Sequence, residues 1–203
     1  MAFTFFFRDT HTLNHAVEHF VPAVSGRSKI RVWDAGCAMG PEPYTLAILL
    51  AEKMGKFSFQ NLVILASDID EQDTFGKTIM NGVYPEEELK RIPEDIFAKY
   101  FTPAEGKAAF HKIDASLTSR LQFIKHDLLS LKPVGESFSL IVCKNVLLHL
   151  QYNERIEVIK MFHKSLADGG LFTTEQTQKM PPECSHLFEQ VVPDAQLFRK
   201  LAA

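Results

Sequence analysis

Apolar runs and helical segments alternate along most of this 203-residue chain. "KIRVWDA", "LVILASD", "LQFIKHD", "FSLIVCKN" and "GLFTTEQ" read as strands. "PEPYTLAILLAEKM", a weaker "EQDTFGKTIMNGVY" and "NERIEVIKMFHKSL" read as helices between them. Parallel strands cannot be joined by tight hairpins and need a crossover of about a dozen residues. The alternation therefore predicts an α/β fold, a mostly parallel sheet with helices on both faces. A helix over "THTLNHAVEHFVPAV", with Thr10 as N-cap, precedes the first strand. "NERIEVIKMFHKSL" is expected to stop at Asp168-Gly169-Gly170. "HLFEQVV" and "AQLFRKLA" are expected to close the chain as a hairpin across Pro193-Asp194. Residues 85–120 break the rhythm and read as helical pieces plus a small β excursion within one domain spanning 1–203.

Bulk properties narrow the function classes. With 46% hydrophobic residues the chain can bury one core. A net charge of −3 gives no sign of a nucleic-acid partner. No apolar run approaches the ~18 residues of a membrane span, so no direct membrane insertion is expected. "MAFTFFFRDT" lacks a basic n-region and a cleavage site, so no secretory signal is expected. Cys37, Cys143 and Cys184 are scattered, fitting free thiols in the cytoplasm better than disulfides.

Ligands in open α/β sheets sit outside the carboxyl ends of the strands. After the first core strand the sequence reads Asp34-x-Gly36-x-x-x-Gly40, then Pro41-Glu42-Pro43 at a helix start. This is not the GxGxxG of dinucleotide folds. Glu42 would repel a pyrophosphate at the helix N-terminus, but it suits a zwitterion whose ammonium needs a carboxylate. Asp68 ends the second strand, where an acid can accept both hydroxyls of a ribose. Asp127 ends "LQFIKH" and could accept an adenine amine, with Leu128 packed on the ring; an acid at either place is also often only a helix N-cap. Together these describe a pocket for S-adenosyl-L-methionine, whose demethylated product is S-adenosyl-L-homocysteine.

The chain resembles the CheR family of chemotaxis receptor glutamate O-methyltransferases from about Thr4 onward. "FFRD" (Phe6 to Asp9), "WDAGCAMGPEPYTLA", "ASDID", "GVYPEEELKRIPEDIFAKYF" and "FSLIVCKNVLLHL" carry the resemblance. It implies a class I, Rossmann-like methyltransferase with a seven-stranded, mostly parallel sheet and a small β-subdomain near Phe110 to Phe123. It also implies that Thr4 and Arg8 touch the cofactor's methionine end, that Glu42 binds its ammonium and that Asp68 binds its ribose. Asp127 and Leu128 would hold the adenine, and Lys144 and Asn145 would line the pocket near the reacting centre, beside Gly36 and Gly40. The implied substrate is a receptor-like protein, such as a methyl-accepting chemotaxis protein. Nothing in the sequence indicates an oligomeric state.

Several positions depart from the family pattern. Pro41 replaces the first Glu of a Glu-Glu pair, and Lys144 replaces an Arg, losing a planar fork of donors. His149 stands where a tyrosine is usual, and the late motif survives only as Thr173-Thr174-Glu175. The helical domain that precedes "FFRD" in the family is not expected in this chain, which leaves acceptor recognition open. Arg8 and His149 are the candidate catalytic residues. Arg8 could hold either the incoming carboxylate or that of the cofactor. His149 could orient another acceptor or act as a base, or it could be a packing substitution. The same fold acting on another protein or small molecule, and a non-catalytic cofactor-binding module, are the alternative functions. His11, His15 and His19 recur every four residues and read as a solvated stripe, so no metal ligands are assigned.

Overall fold

The computed structural model describes residues 4–202. Its elements are α1 (Thr10–Ala23), β1 (Ile30–Ala35), α2 (Pro41–Lys53), α3 (Lys56–Gln60), β2 (Leu62–Asp68), α4 (Phe75–Asn81) and β3 (Val83–Pro85). There follow α5 (Glu86–Leu89), α6 (Glu94–Tyr100), β4 (Phe101–Pro103), β5 (Phe110–Ile113), α7 (Ala115–Thr118) and β6 (Leu121–Lys125). The chain then forms β7 (Phe138–Val142), α8 (Tyr152–Ser165), β8 (Leu166–Thr173), β9 (Phe188–Gln190) and β10 (Leu197–Lys200).

Seven strands form the main sheet in the order β6-β2-β1-β7-β8-β10-β9. β10 is antiparallel to both of its neighbours, and the other pairings are parallel. Strand order reverses at β1, which lies between β2 and β7, so the loops after these strands open onto one crevice. Both faces of the sheet are covered. Val32 belongs to the core shared with α1 and α2, while its neighbour Trp33 belongs to the core shared with α8. Trp33 is fully buried, and its indole N–H donates to Ser67 Oγ at 2.8 Å. That bond lets a large aromatic occupy the core without an orphaned donor. On α1, Leu13, Ala16, Val17 and Phe20 form the buried stripe, the spacing expected of a helix with one apolar face.

A second, three-stranded antiparallel sheet has the order β3-β5-β4. It starts at Val83, two residues ahead of the expected segment. Phe123 belongs to β6 of the main sheet rather than to this small one. The small sheet is keyed to the glycine turn: Tyr84 donates its hydroxyl to the Met39 carbonyl at 2.7 Å.

Two helix ends differ from expectation. Asp9, not Thr10, is the N-cap of α1; it adopts a left-handed conformation (φ 46°) and makes no side-chain cap bond. α8 stops at Ser165, ahead of Asp168-Gly169-Gly170. Leu166 is already extended (φ −72°, ψ 142°) and pairs with Phe138. The register with β7 shifts between Phe138 and Leu140, so the Asp-Gly-Gly run lies at an irregularity inside β8 and is not a helix cap. The closing hairpin of β9 and β10 forms as expected.

Gly40 has φ 103°, and a Cβ there would sit 2.5 Å from Tyr84 Oη and 2.7 Å from Ile79 Cγ1. Gly40→Ala combines a disfavoured backbone with overpacking between the glycine turn and the small sheet. It should cost about 2–4 kcal/mol, read from urea unfolding midpoints. Wild-type stability in this variant would show that the contact yields freely.

Candidate active site

A cavity of about 550 Å³ opens above the carboxyl ends of β1, β2 and β7. That lies within the range of small-molecule sites. Nine of the residues singled out in the sequence line it: Thr4, Arg8, Gly36, Glu42, Asp68, Leu128, Lys144, Asn145 and His149.

Glu42 occupies the first turn of α2, behind Pro41 and a left-handed Gly40. Prolines fit there because first-turn amides have no intrahelical partner. The Glu42 carboxylate is largely buried, and its Oε2 lies 3.4 Å from the Lys144 ammonium. Lys144 follows β7, with a side chain fully shielded from solvent. The same ammonium donates to the carbonyls of Asp9 at 3.1 Å and Arg8 at 3.5 Å, and lies 3.5 Å from Asp9 Oδ2. A buried charge is tolerable only when paired and hydrogen-bonded. Lys144 meets that condition by drawing the Arg8–Asp9 backbone against the start of α2. Burial pushes the Glu42 carboxyl above the usual range, while Lys144 and Arg8 pull it back.

Asp68, at the end of β2, accepts the Ala38 N–H at 2.9 Å and the Asp70 N–H at 3.3 Å. Its carboxylate is thus held across the glycine turn. Asn145 adopts a left-handed backbone (φ 59°) beside the cavity, and its N–H donates to Glu175 Oε2 at 2.8 Å. Thr174 donates its hydroxyl to the same oxygen at 2.7 Å. Glu175, the remnant of the late motif, therefore supports a strained residue that would cost about 1–3 kcal/mol unsupported. Beneath the site Asp34 is fully buried, and both of its oxygens are without a hydrogen-bond partner among the described residues. Burial first, then Glu42, holds its carboxyl well above the usual carboxylate range.

Two sequence candidates do not line the cavity. The carboxylate of Asp127 is exposed and accepts the Leu129 N–H at 2.8 Å, capping the 3-10 turn Leu128–Ser130. Gly40 faces Tyr84 and Ile79 instead. Gly36 does line it, but its missing Cβ leaves room for the Val146 side chain rather than for a ligand.

Thr45, Ser67, Ile69 and His126 line the cavity without having been picked out in the sequence. Thr45 Oγ1 accepts the Phe7 N–H at 3.0 Å and so fixes the N-terminal wall. His126 donates its Nε2–H to the Lys132 carbonyl at 2.7 Å, leaving buried Nδ1 without a partner among the described residues. Its place directly before Asp127 at a strand end was the signal available. His149 and Leu148 are exposed at the cavity rim, Leu148 by 46%.

The cavity tests well against S-adenosylmethionine. It offers a desolvated acid at a helix start, a second acid fixed at the next strand end, and apolar walls from Leu13, Ile69 and Leu128. An ammonium, a ribose and an adenine find matching chemistry there.

The sequence matches the family described as CheR methyltransferase, SAM binding domain, over residues 2–196. Among curated relatives, a probable chemotaxis protein methyltransferase of Rhizobium etli is 25% identical over 93% of this chain and 72% of its own length. The chemotaxis protein methyltransferase of Borreliella burgdorferi is 29% identical over 80% of this chain. The chain spans 59% of that relative. Among solved structures, magnesium protoporphyrin IX methyltransferase from Synechocystis, with bound SAM, superposes with a TM-score of 0.52. It is 16% identical, over 96% of this chain and 79% of its own, a likeness of fold.

Lys144→Met leaves Glu42 buried without its countercharge and should cost about 3–5 kcal/mol at neutral pH. Because the folded Glu42 carboxyl is raised, its contribution is full below about 4.3 and is lost as pH rises through the raised value. Removing Lys144 raises that value further. The deficit against wild type should therefore widen as pH rises above the ordinary carboxylate range, measured by urea unfolding. A deficit independent of pH would reject the pairing.

Proposed function

Because this chain belongs to the CheR methyltransferase family, whose domain binds S-adenosylmethionine, we propose that it methylates glutamate carboxylates of a chemotaxis-receptor-like protein. The observation that carries the reading is Glu42: a buried acid at a helix N-terminus is unsuited to a phosphate and suited to the ammonium of an amino-acid-bearing nucleoside. In this reading Glu42 holds that ammonium with the oxygen that Lys144 does not face. Asp68 accepts the ribose hydroxyls. Leu128, with His126 near it, forms the adenine wall, while Asp127 acts as a turn cap. Thr4 and Arg8 close the methionine end, and Lys144 and Asn145 shape the floor beside the reacting centre.

Bound S-adenosylmethionine supplies an electrophilic methyl group on a sulfonium. The protein's own contribution is modest in acid–base terms. A glutamate side chain with pKa near about 4.3 is already a nucleophilic anion at neutral pH. What remains is to orient the acceptor oxygen and to strip water from it. Arg8, half-buried on the N-terminal wall, can offer its guanidinium to an arriving carboxylate. His149 stands exposed at the rim, on the side from which an acceptor enters. That position also supports a second reading, a hydroxyl or amine acceptor with His149 as base. Among the described residues no helix is long and apolar enough to cross a membrane. The three buried free cysteines suit a reducing compartment, so a cytoplasmic site of action is part of the proposal.

Calorimetry should show S-adenosylmethionine and S-adenosylhomocysteine binding to the folded chain. Glu42→Gln should weaken this by about 10- to 100-fold, the loss of one charge-assisted bond. Asp68→Asn should weaken both ligands similarly. Unchanged affinity in both variants would remove the assigned roles. With labelled S-adenosylmethionine and receptor-containing membranes, the label should be released as methanol by base. Base-stable label would instead select the hydroxyl or amine acceptor.

A further inference from the structure

None of His11, His15 and Asp194 lines the cavity, yet the fold brings them together. His11 and His15 lie one turn apart on α1, with ring centroids 4.7 Å apart at 85°. Asp194 follows Pro193 in the turn between β9 and β10. Its Oδ2 lies 3.3 Å from His11 Nε2 and 3.4 Å from His15 Nε2. One ligand atom from each residue falls within 4.8 Å of the others.

The spacing is informative. A direct imidazolium–carboxylate hydrogen bond closes to about 2.7–2.9 Å. Two ligands on one tetrahedral ion, with bonds of about 2.0–2.1 Å, stand about 3.3–3.4 Å apart. Both histidines sit at the second distance from the same oxygen. Metal-bound imidazoles usually direct their other nitrogen at a carboxylate or carbonyl; Glu18 Oε2 is the carboxylate beside His15 Nδ1, at 3.9 Å, longer than a hydrogen bond. The turn is anchored by Gln176 Nε2, which donates to the Asp194 carbonyl at 2.7 Å. That carbonyl also lies 3.2 Å from His11 Nε2. Without an ion, His11 donates a proton to it, and ion binding displaces that proton. His19, one turn further on, lies outside the group.

We propose that His11, His15 and Asp194 form a site for a divalent transition ion. The imidazole and carboxylate donors favour zinc among the common ions, with solvent completing the shell. The ion would fasten the start of α1 to the closing hairpin. Because α1 directly follows the Thr4–Asp9 wall, the ion would also steady that side of the cavity. The solvated stripe read from the sequence becomes half of a site whose third ligand lies 183 residues away from His11.

The test uses the full chain, stripped with a chelator and kept reduced with a phosphine, titrated with zinc chloride. One equivalent should bind with micromolar affinity. At about a hundredfold excess over Kd the melting temperature should rise by about 5 °C or more. His11→Ala and His15→Ala should each weaken binding by at least about 100-fold, with metal-free circular dichroism and melting unchanged. Asp194→Asn keeps the turn and should weaken binding, serving as the independent variant if a histidine variant fails to fold. Cobalt substituted for zinc should give tetrahedral visible bands without thiolate charge transfer. The site is overturned if folded wild type takes up no zinc at about 100 μM, a level at which a micromolar site saturates. It is equally overturned if the His11→Ala/His15→Ala double variant binds and is stabilised like wild type, or if thiolate charge transfer appears.

Discussion

A single buried ammonium organises the functional end of this molecule. Lys144 leaves the carboxyl end of β7 with its side chain shut off from solvent, and it has no water to satisfy three donors. Its partners come from two other stretches of chain: the Arg8 and Asp9 backbone, and Glu42 at the start of α2. Desolvation makes this convergence obligatory, since an unpaired buried charge costs several kcal/mol. The N-terminal wall, the glycine turn and the loop after β7 are therefore one electrostatic unit, and the cavity is the space that unit encloses.

Sheet topology supplies the other half. β1 lies between β2 and β7, so the acids at Glu42 and Asp68 and the pair Lys144-Asn145 leave neighbouring strands on the same side. Several residues around the site have unusual backbone, though others lie elsewhere in the chain. Phe7, Asp9, Ala38 and Asn145 all have positive φ without being glycine. Each is held by a named contact or a close neighbour of one: Thr45 for Phe7, Lys144 for Asp9, Asp68 for Ala38 and Glu175 for Asn145. Such strain survives only where surroundings over-determine it, and here those surroundings are the walls of the site.

Most of the sheet was readable from sequence because each strand carries a local signal, an apolar run bounded by turn residues. The strand-exit acids were readable for the same reason. What escaped depends on distant partners. Asp127 is the local exception: it sits where a ligand-binding acid would sit, but the Leu129 amide two residues on claims it as the cap the sequence also allowed. The end of α8 looked like an Asp-Gly-Gly cap, yet Leu166, two residues before Asp168, is claimed by Phe138 across the sheet. Thr45 carries no local mark of function, and His126 only its place before Asp127 at a strand end; packing of the loops puts both on the cavity. The pairing of His11 and His15 with Asp194 joins opposite parts of the chain, beyond any periodicity.

The contact between Gly36 and Val146 bears on how this site can change over generations. The turn after β1 and the loop after β7 share one small volume, filled by the Val146 side chain because residue 36 has none. Neither position can gain bulk alone. Gly36 is also fixed by its backbone, since φ 90° strains any side chain there, so a smaller residue at 146 would not by itself release position 36. Glycine at 36 is therefore held twice over, by backbone and by space, while residue 146 is free to vary only toward equal or smaller size.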